Sequence, residues 1–558
     1  MQPQRPAQPV PATGNTGDFT PKILTVWREG YGTTRLRADA VAGLTVAIVA
    51  LPLAMALAVA SGASPEKGLI TAIVAGFLIS LLGGSRVQIG GPTGAFVVVV
   101  FNIIAEHGYD GLVLATFMAG LILIVAGYSG LGRLIKFIPH PVVTGFTAGI
   151  AVIIATSQIE DFLGLATGGG SADFVDRWMT YARSIGTWQP ASFAVGAGSL
   201  ALIILLRRYA ARLPAYLIVI VAASAVVALL GVPTETIGAR FPDLSFAFPT
   251  PGLPELSFAR IEALLPAAFT IAFLAGIEAL LSCVVADGMT GFRHRSNQEL
   301  VGQGVANLAS GLFGGLPATG AIARTATNIR SGGRTPVAGI LHALFLLLFA
   351  LTGSSLMALV PMATLAAILF AVAWGMSEHE RFLALLRMPI GERGVLLVTF
   401  LMTVLVDLTM AILVGVTLAS LIFIARMSET VAVESSVDAG EDSSAAQRVD
   451  LPDGVEVFQV TGPLFFGAAG TLLDALKRIG RRPRFLILRL GQMSYLDASG
   501  AAALDEFVAQ AKTMGTQVIV SGALEQPMEL LDRAGLGSQS DRLVHAESYE
   551  AALALARD

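Results

Sequence analysis

The chain has 558 residues, 54% of them hydrophobic and only 14% charged, with a mean hydropathy of +0.72, against roughly 25% charged in soluble proteins, so most of it must lie in lipid. A net charge of −4 gives no basic field for nucleic acid, and one cysteine, Cys283 inside an apolar run, excludes an internal disulfide and a cysteine metal cluster and reads as a buried small hydrophobe. The sequence holds no Walker motif and no Ser/His/Asp constellation, which excludes ATP hydrolysis by this chain and gives no reason to read an enzyme.

Residues 1–35 are rich in Pro, Gln and Thr and show no apolar core after a basic start; we expect a cytoplasmic segment without a cleavable signal peptide, the first span serving as the insertion signal. Apolar stretches then run over 40–60, 67–84, 92–106, 110–128, 140–158, 190–206, 213–231, 263–284, 300–316, 320–332, 335–353, 361–376, 394–407 and 409–426. Several fall short of the ~20 residues of a full crossing. Those beginning at Pro92 and Thr319 are natural half-helices, because Gly-rich backbone is tolerated at membrane depth only where it lines a cavity.

Charge placement fixes the orientation. With Lys22, Arg28, Arg35 and Arg37 on the cytoplasmic side, every loop after an even-numbered span is basic: Arg86; Arg133 and Lys136; Arg207, Arg208 and Arg212; Arg293 and Arg295; Arg330 and Arg334; Arg387 and Arg393. The longer odd-numbered loops, 159–189 and 232–262, carry more acid than base. Fourteen spans split into two sets of seven, about 36–231 and 258–426, and an odd set inserts the second copy upside down relative to the first. Two segments repeat accordingly: Gly90-Gly91-Pro92-Thr93-Gly94-Ala95 and Gly315-Leu316-Pro317-Ala318-Thr319-Gly320-Ala321. Matching Gly/Pro interruptions in two related halves mark broken helices that meet near the midplane, where a transporter holds its solute. After the membrane region (36–428), residues 429–450 read as a polar, acidic linker. Residues 451–558 read as a small cytoplasmic α/β domain, with strands at 455–461, 484–490 and 517–521 and helices near 498–513, 524–535 and 547–556.

Four features could carry chemistry. Glu278 lies mid-span, where a carboxylate costs about 2.5–3.5 kcal/mol on insertion scales unless it meets a cavity, a cation or a proton path; it either exchanges a proton or pairs with a neighbouring Arg to hold the fold. Arg324 falls early in the helix that starts near Thr319, so a fixed cation and a positive helix end could point at one anion; the alternative is a side chain snorkelling to the interface beside Arg330 and Arg334. Pro92, Thr93 and Gly94 open the matching half-helix, offering free amides and a hydroxyl. Pro52, in Leu51-Pro52-Leu53-Ala54-Met55-Ala56-Leu57, is a hinge or a tolerated kink. Two other matches fail: Gly168-Gly169-Gly170-Ser171 lacks a following lysine, and His379 between Glu378 and Glu380 sits on a solvated loop.

Ala42-Gly43-Leu44-Thr45-Val46-Ala47 with Leu51-Pro52, Gly91-Pro92-Thr93, Gly302-Gln303-Gly304-Val305-Ala306-Asn307 and Gly332-Gly333-Arg334-Thr335 resemble the sulfate permease (SulP) family of anion transporters. The tail resembles a STAS domain, Leu496-Asp497-Ala498-Ser499-Gly500 matching a turn that in anti-sigma-factor antagonists carries a phosphorylatable serine. The resemblance implies an α-helical polytopic membrane protein with core and gate domains built from interlocked inverted repeats, usually a homodimer, with the anion between spans three and ten. It places substrate contacts on Leu53, Leu57, Thr93, Gly94, Ala323 and Arg324, ion coupling on Glu278 with Ser282 one turn on, and STAS regulation on Asp497 and Ser499. This chain departs from many relatives in having Leu53 and Leu57 where they carry a Gln and an aromatic, and Ala323 where some animal members carry serine. That apolar wall suits an anion with a hydrocarbon middle and resembles the bacterial C4-dicarboxylate (succinate, fumarate) branch. No cofactor is implied beyond a coupling ion, a proton, with sodium the alternative. The expectation is a secondary active transporter of the bacterial inner membrane with cytoplasmic termini, bound to lipid and, through STAS, to cytoplasmic proteins. Alternatives are a sulfate or bicarbonate transporter, an anion channel or exchanger, and a sensor whose output is the STAS domain.

Overall fold

The structure, a computed structural model, describes residues 19–133, 139–168, 174–210, 213–242, 246–406, 408–435, 451–468, 470, 472, 474, 483–537 and 542–557. Lys136, Arg212, most of the Gly168–Ser171 run and the linker residues 436–450 lie outside them. Two compact units divide the chain, Met1–Val416 and Thr417–Asp558.

The first unit is helical. Its helices include α1 (Thr33–Ala60), α2 (Pro65–Leu82), α3 (Phe96–Tyr128), α4 (His140–Ser157), α5 (Pro190–Tyr209), α6 (Ala215–Leu230), α7 (Phe258–Thr290), α8 (Ser296–Leu312), α9 (Ile322–Arg330), α10 (Pro336–Met357), α11 (Met362–Met376), α12 (Ile390–Leu405) and α13 (Leu408–Glu429), the last running into the second unit. Each corresponds to one apolar stretch of the sequence except α3, which merges two. A helix of 33 residues would be about 50 Å long, too long for a single ~30 Å crossing. At Gly108, with φ 72° and ψ 177°, the helical backbone breaks, so α3 is two helices joined at a kink. Among the described residues nine helices are long and apolar enough to cross a membrane, and Ala215–Leu230 is a shorter apolar helix. Their outer faces carry exposed Leu229, Leu230, Trp374 and Leu413, as a lipid solvent permits.

Where lipid supplies no hydrophobic drive between helices, close approach does the packing. Gly120 of α3 and Gly304 of α8 face one another so closely that a Cβ on Gly304 would stand 2.6 Å from the Gly120 carbonyl oxygen. Two buried carboxylates then fasten loops to helix ends. Asp39, 1% exposed, accepts from the Tyr31 hydroxyl (2.9 Å), the Arg334 amide (3.1 Å) and both the amide and hydroxyl of Thr335, the residue that caps α10. Glu299 of α8, fully buried, accepts from the amides of Gly84 (2.8 Å) and Ser85 (3.1 Å) and from Gln303 Nε2 (2.8 Å). Nearby, Arg86 donates to Glu29, and that bond holds the Glu29 carboxyl below the usual range.

The second unit contains a five-stranded sheet in the order β3-β4-β5-β6-β7: β3 (Ala432–Ser435), β4 (Val455–Leu464), β5 (Phe485–Leu496), β6 (Gln517–Ser521) and β7 (Val544–Ala546). Only β3 is antiparallel to its neighbour. Strand alternation sorts the core: Leu486, Leu488 and Leu490 meet Leu504, Phe507 and Val508 of α14 (Ala498–Thr513) and Leu531 of α15 (Glu525–Arg533). On the other face Phe485 and Ile487 meet Ala552, Leu553 and Ala556 of α16 (Tyr549–Arg557). Two elements escaped the sequence. β3 falls inside the stretch read as linker, and pairs Ala432 with Thr461 through Ser435 with Phe458; β7 is three residues long, too short for a periodicity to register.

Candidate functional site

Two very short strands form the centre of the first unit. β1 (Gly90–Gly91) and β2 (Thr319–Gly320) pair antiparallel, Gly90 opposite Gly320 and Gly91 opposite Thr319, so the two repeated Gly-rich turns meet directly. Each strand leads into a helix, β1 into α3 and β2 into α9; the first α3 amides, those of Phe96 and Val97, close onto the Thr93 and Gly94 carbonyls at 3.2 and 3.1 Å.

Irregular backbone at membrane depth has to be satisfied by the protein itself. Gln88 Nε2 donates to the Ala279 carbonyl (3.0 Å) and Cys283 Sγ donates to Gln88 Oε1 (2.9 Å). Thr319 donates to the Ala275 carbonyl (2.7 Å), and the Ala321 amide to the Ile89 carbonyl (2.9 Å). From α9, Asn328 Nδ2 reaches the Val87 carbonyl (2.8 Å), while Thr325 Oγ1 accepts from the Ile89 amide (3.1 Å) and from Ser282 Oγ (3.3 Å). Glycine is required at the ribbon: a Cβ on Gly320 would lie 1.4 Å from Gln88 Nε2, and one on Gly91, where φ is +148°, 2.4 Å from Arg324 Nη1.

Around this ribbon stand the expected residues. Thr93 Oγ1 donates to Glu278 Oε2 at 3.0 Å, joining the start of one half-helix to the mid-span acid of α7; both side chains are half-buried. Gly94 lies against α4 and α11, since a Cβ there would stand 2.7 Å from Met376 Sδ and 3.1 Å from Ile154 Cδ1. Leu53 and Leu57 of α1 are buried in the same apolar cluster as Ala95, Phe96 and Ile154. Pro52 is buried within α1.

Arg324 is 2% exposed, which removes the snorkelling alternative. Its Nη2 donates to the Pro92 carbonyl at 2.8 Å, and Nε and Nη1 find no partner among the described residues. No hydrogen bond or ion pair among the described residues joins Arg324 to Glu278: each makes its own contact with the first turn, Arg324 at Pro92 and Glu278 at Thr93. Ala323 is exposed rather than enclosed with its neighbour. Ser282 is fully buried and committed to Thr325, not turned toward Glu278. In the second unit Asp497 caps α14, accepting from the Gly500 amide (2.7 Å) and the Phe466 amide (3.2 Å), and Ser499 stands exposed in that first turn.

Gln88, Thr325, Ile154 and Met376 were not found from the sequence. Gln88 carried a signal, a lone amide two residues before Gly-Gly in an apolar run; Ile154 and Met376 carried none, being ordinary apolar residues of distant spans.

Residues 36–399 match the sulfate permease family and residues 447–548 the STAS domain. The putative sulfate transporter YvdB of Bacillus subtilis is 40% identical over 91% of this chain and 95% of its own length. The bicarbonate transporter BicA of Picosynechococcus sp. is 34% identical over 90% of this chain and 91% of its own. Among solved structures, the transmembrane domain of a cyanobacterial BicA superposes with a TM-score of 0.61 at 31% identity, covering 70% of this chain and 98% of that one. The murine anion transporter Slc26a9 in its inward-facing state shares the fold, with a TM-score of 0.85 at 18% identity over 100% of this chain and 96% of that one. The chain belongs to the sulfate permease family, as an anion transporter of the membrane with a C-terminal STAS domain.

Proposed function

We propose that this chain is a secondary active transporter that takes up a small inorganic oxyanion of the sulfate or bicarbonate class together with a proton carried by Glu278. One observation carries the reading. Arg324 is a buried cation with a single carbonyl contact and no carboxylate bonded to it among the described residues. An uncompensated buried charge costs several kcal/mol, and the anion in transit is the counter-charge that would offset it. The Thr93 hydroxyl supplies a donor of the kind an oxyanion accepts.

Glu278 shares its carboxylate with Thr93, so a negative charge on it competes with an anion for that donor. Protonation removes the competition and links anion binding to proton binding. Ser282, one turn on, gives its hydroxyl proton to Thr325 and keeps its oxygen lone pairs, so sodium is the alternative coupling ion. The names of the 40% and 34% identical relatives, sulfate and bicarbonate transporters, support the substrate class. The second reading, a C4-dicarboxylate, rests on Leu53 and Leu57, whose apolar wall suits a hydrocarbon middle. We assign the chain to the bacterial inner membrane as a homodimer with cytoplasmic termini, in line with its basic even-numbered loops.

Uptake into proteoliposomes with sulfate, bicarbonate, succinate and fumarate, under pH and sodium gradients imposed separately, tests this. Saturable accumulation of sulfate or bicarbonate on an inward proton gradient is expected, with Glu278→Gln retaining exchange but losing acceleration by the gradient. Accumulation of succinate alone selects the second reading. A wild type indifferent to pH but driven by sodium, or simple equilibration with the membrane potential, refutes proton-coupled transport.

A further inference from the structure

The turn that opens α3 carries a notch. At Gly94 the space a side chain would take is already filled: a Cβ there would stand 2.7 Å from Met376 Sδ, 3.3 Å from Met376 Cε and 3.1 Å from Ile154 Cδ1. The filling groups come from two other helices, Met376 from the last position of α11 and Ile154 from α4. Thr93, immediately before the notch, bonds to Glu278. Exposure divides the residues around this turn. Gly94, Ile154, Leu53 and Leu57 are buried, whereas Thr93, Glu278 and Met376 are half-buried. Of the two side chains in the notch, only the Met376 thioether therefore also presents surface outside the packed interior. The end of α11 is held in place as well. Glu378, two residues beyond Met376, has φ 41° and ψ 40° and is the only non-glycine with positive φ among the described residues. Such a conformation persists only where its surroundings hold it. Arg381 donates to the Glu378 carboxylate at 2.9 Å, and the Trp374 ring lies 4.8 Å from that of His379, so contacts on both sides of Met376 fix the turn that delivers it to Gly94.

We infer that Met376 is a specificity-determining residue: seated in the Gly94 notch, its thioether takes up the room beside Thr93 that an anion longer than sulfate or bicarbonate would need. Selection between solutes works by exclusion as much as by attraction. Leu53 and Leu57 belong to the apolar cluster against which Met376 packs, and that wall alone would welcome a hydrocarbon middle. Filling the adjacent space with a side chain removes the advantage. Methionine suits the task because an unbranched thioether fills an irregular gap without a polar atom that an anion could use in place of Thr93. Glycine at position 94 suits it too, since any side chain there would push the thioether out of its seat and into the space beside Thr93.

This inference rests on the anion site proposed at Thr93 and Arg324. The test uses the full-length chain in proteoliposomes and measures how well unlabelled succinate competes, relative to unlabelled sulfate and bicarbonate, against uptake of the labelled small oxyanion. The variants are Met376→Ala, Met376→Leu, Gly94→Ala and the Gly94→Ala/Met376→Ala pair. Room for one methylene in an apolar pocket is worth roughly 10–200-fold in discrimination, so Met376→Ala should shift the ratio toward succinate by about tenfold or more. Met376→Leu, close in volume, should leave the ratio nearly as it is. Gly94→Ala should raise KM for the small oxyanion, and Met376→Ala should relieve that loss in the pair, because the two residues share one space. A wild-type ratio in Met376→Ala, with or without a loss of maximal rate and yield, makes Met376 a packing residue and overturns the inference. Losses that simply add in the pair, or a Gly94→Ala variant with wild-type KM, overturn it too. If Met376→Ala fails to assemble, Met376→Val decides by the same ratio. A wild type that already prefers succinate, or an Arg324→Ala variant with wild-type KM, refutes the reading of the site itself, and either result appears without any change at Met376.

Discussion

Gly320→Ala is the sharpest test of the ribbon. The new methyl would stand 1.4 Å from Gln88 Nε2 and 2.4 Å from Gln88 Cδ, so the Gln88 side chain has to leave. It takes with it the bond to the Ala279 carbonyl and the one from Cys283 Sγ, at 3.0 and 2.9 Å. Gln88 is 3% exposed, so water cannot replace either. Two hydrogen bonds at about 1 kcal/mol net each, with a further 1–2 kcal/mol if the displaced amide stays buried and unpaired, give roughly 2–4 kcal/mol. Unfolding of the full chain titrated with SDS in mixed micelles measures that loss. The discriminating variant is Gly320→Ala with Gln88→Ala, where the space is already empty. The double variant should cost little more than Gln88→Ala alone, a coupling of about 2 kcal/mol. If Gly320→Ala is neutral, or if the two costs simply add, the close approach at the ribbon does not constrain the site as described.

Two further outcomes follow from buried contacts and from the division of the chain. Glu299→Ala removes the acceptor for Gly84, Ser85 and Gln303 and should cost about 3 kcal/mol in the same unfolding assay, three bonds at roughly 1 kcal/mol each; a cost below a third of that would mean water takes over the loop amides. Removing residues 450–558 should lower transport or assembly while keeping the rank order of anions, read from competition of unlabelled anions against sulfate uptake, because Thr93, Glu278 and Arg324 all lie in the first unit. A changed order would place part of the selectivity beyond it.

What the sequence revealed and what it hid follow from the physics of each signal. The spans were legible because lipid demands long apolar runs, and the two broken turns because Gly and Pro interrupt them in matched places. Gly108 was readable as a gap between two runs, though its left-handed backbone was not. Glu278 stood out by cost alone. Its partner did not: a mid-span acid suggests a neighbouring Arg, whereas Glu278 bonds to Thr93 and the Arg324 guanidinium to a carbonyl, pairings set by tertiary packing that no local pattern encodes. Ala323 has no polar atom to announce where it faces, and it turned out exposed. β3 was hidden because a four-residue edge strand inside an acidic stretch has the composition of a linker.

The ribbon has one more implication, for anyone who would redesign this transporter. Its register is set by glycines packed against Gln88, Ile79 and Arg324, and its loose backbone groups are held by the buried side chains of Gln88, Thr319, Thr325 and Asn328. Almost no side chain there can be exchanged without displacing another. Retuning must therefore come from the periphery, from Leu53 and Leu57 on one flank and Met376 and Ile154 on the other, whose apolar groups can change size or polarity while the pairing of the two half-helices stays intact. A library confined to those four positions samples new solutes on an unchanged chassis; one that includes Gly91 or Gly320 spends its diversity on displacing Arg324 or Gln88.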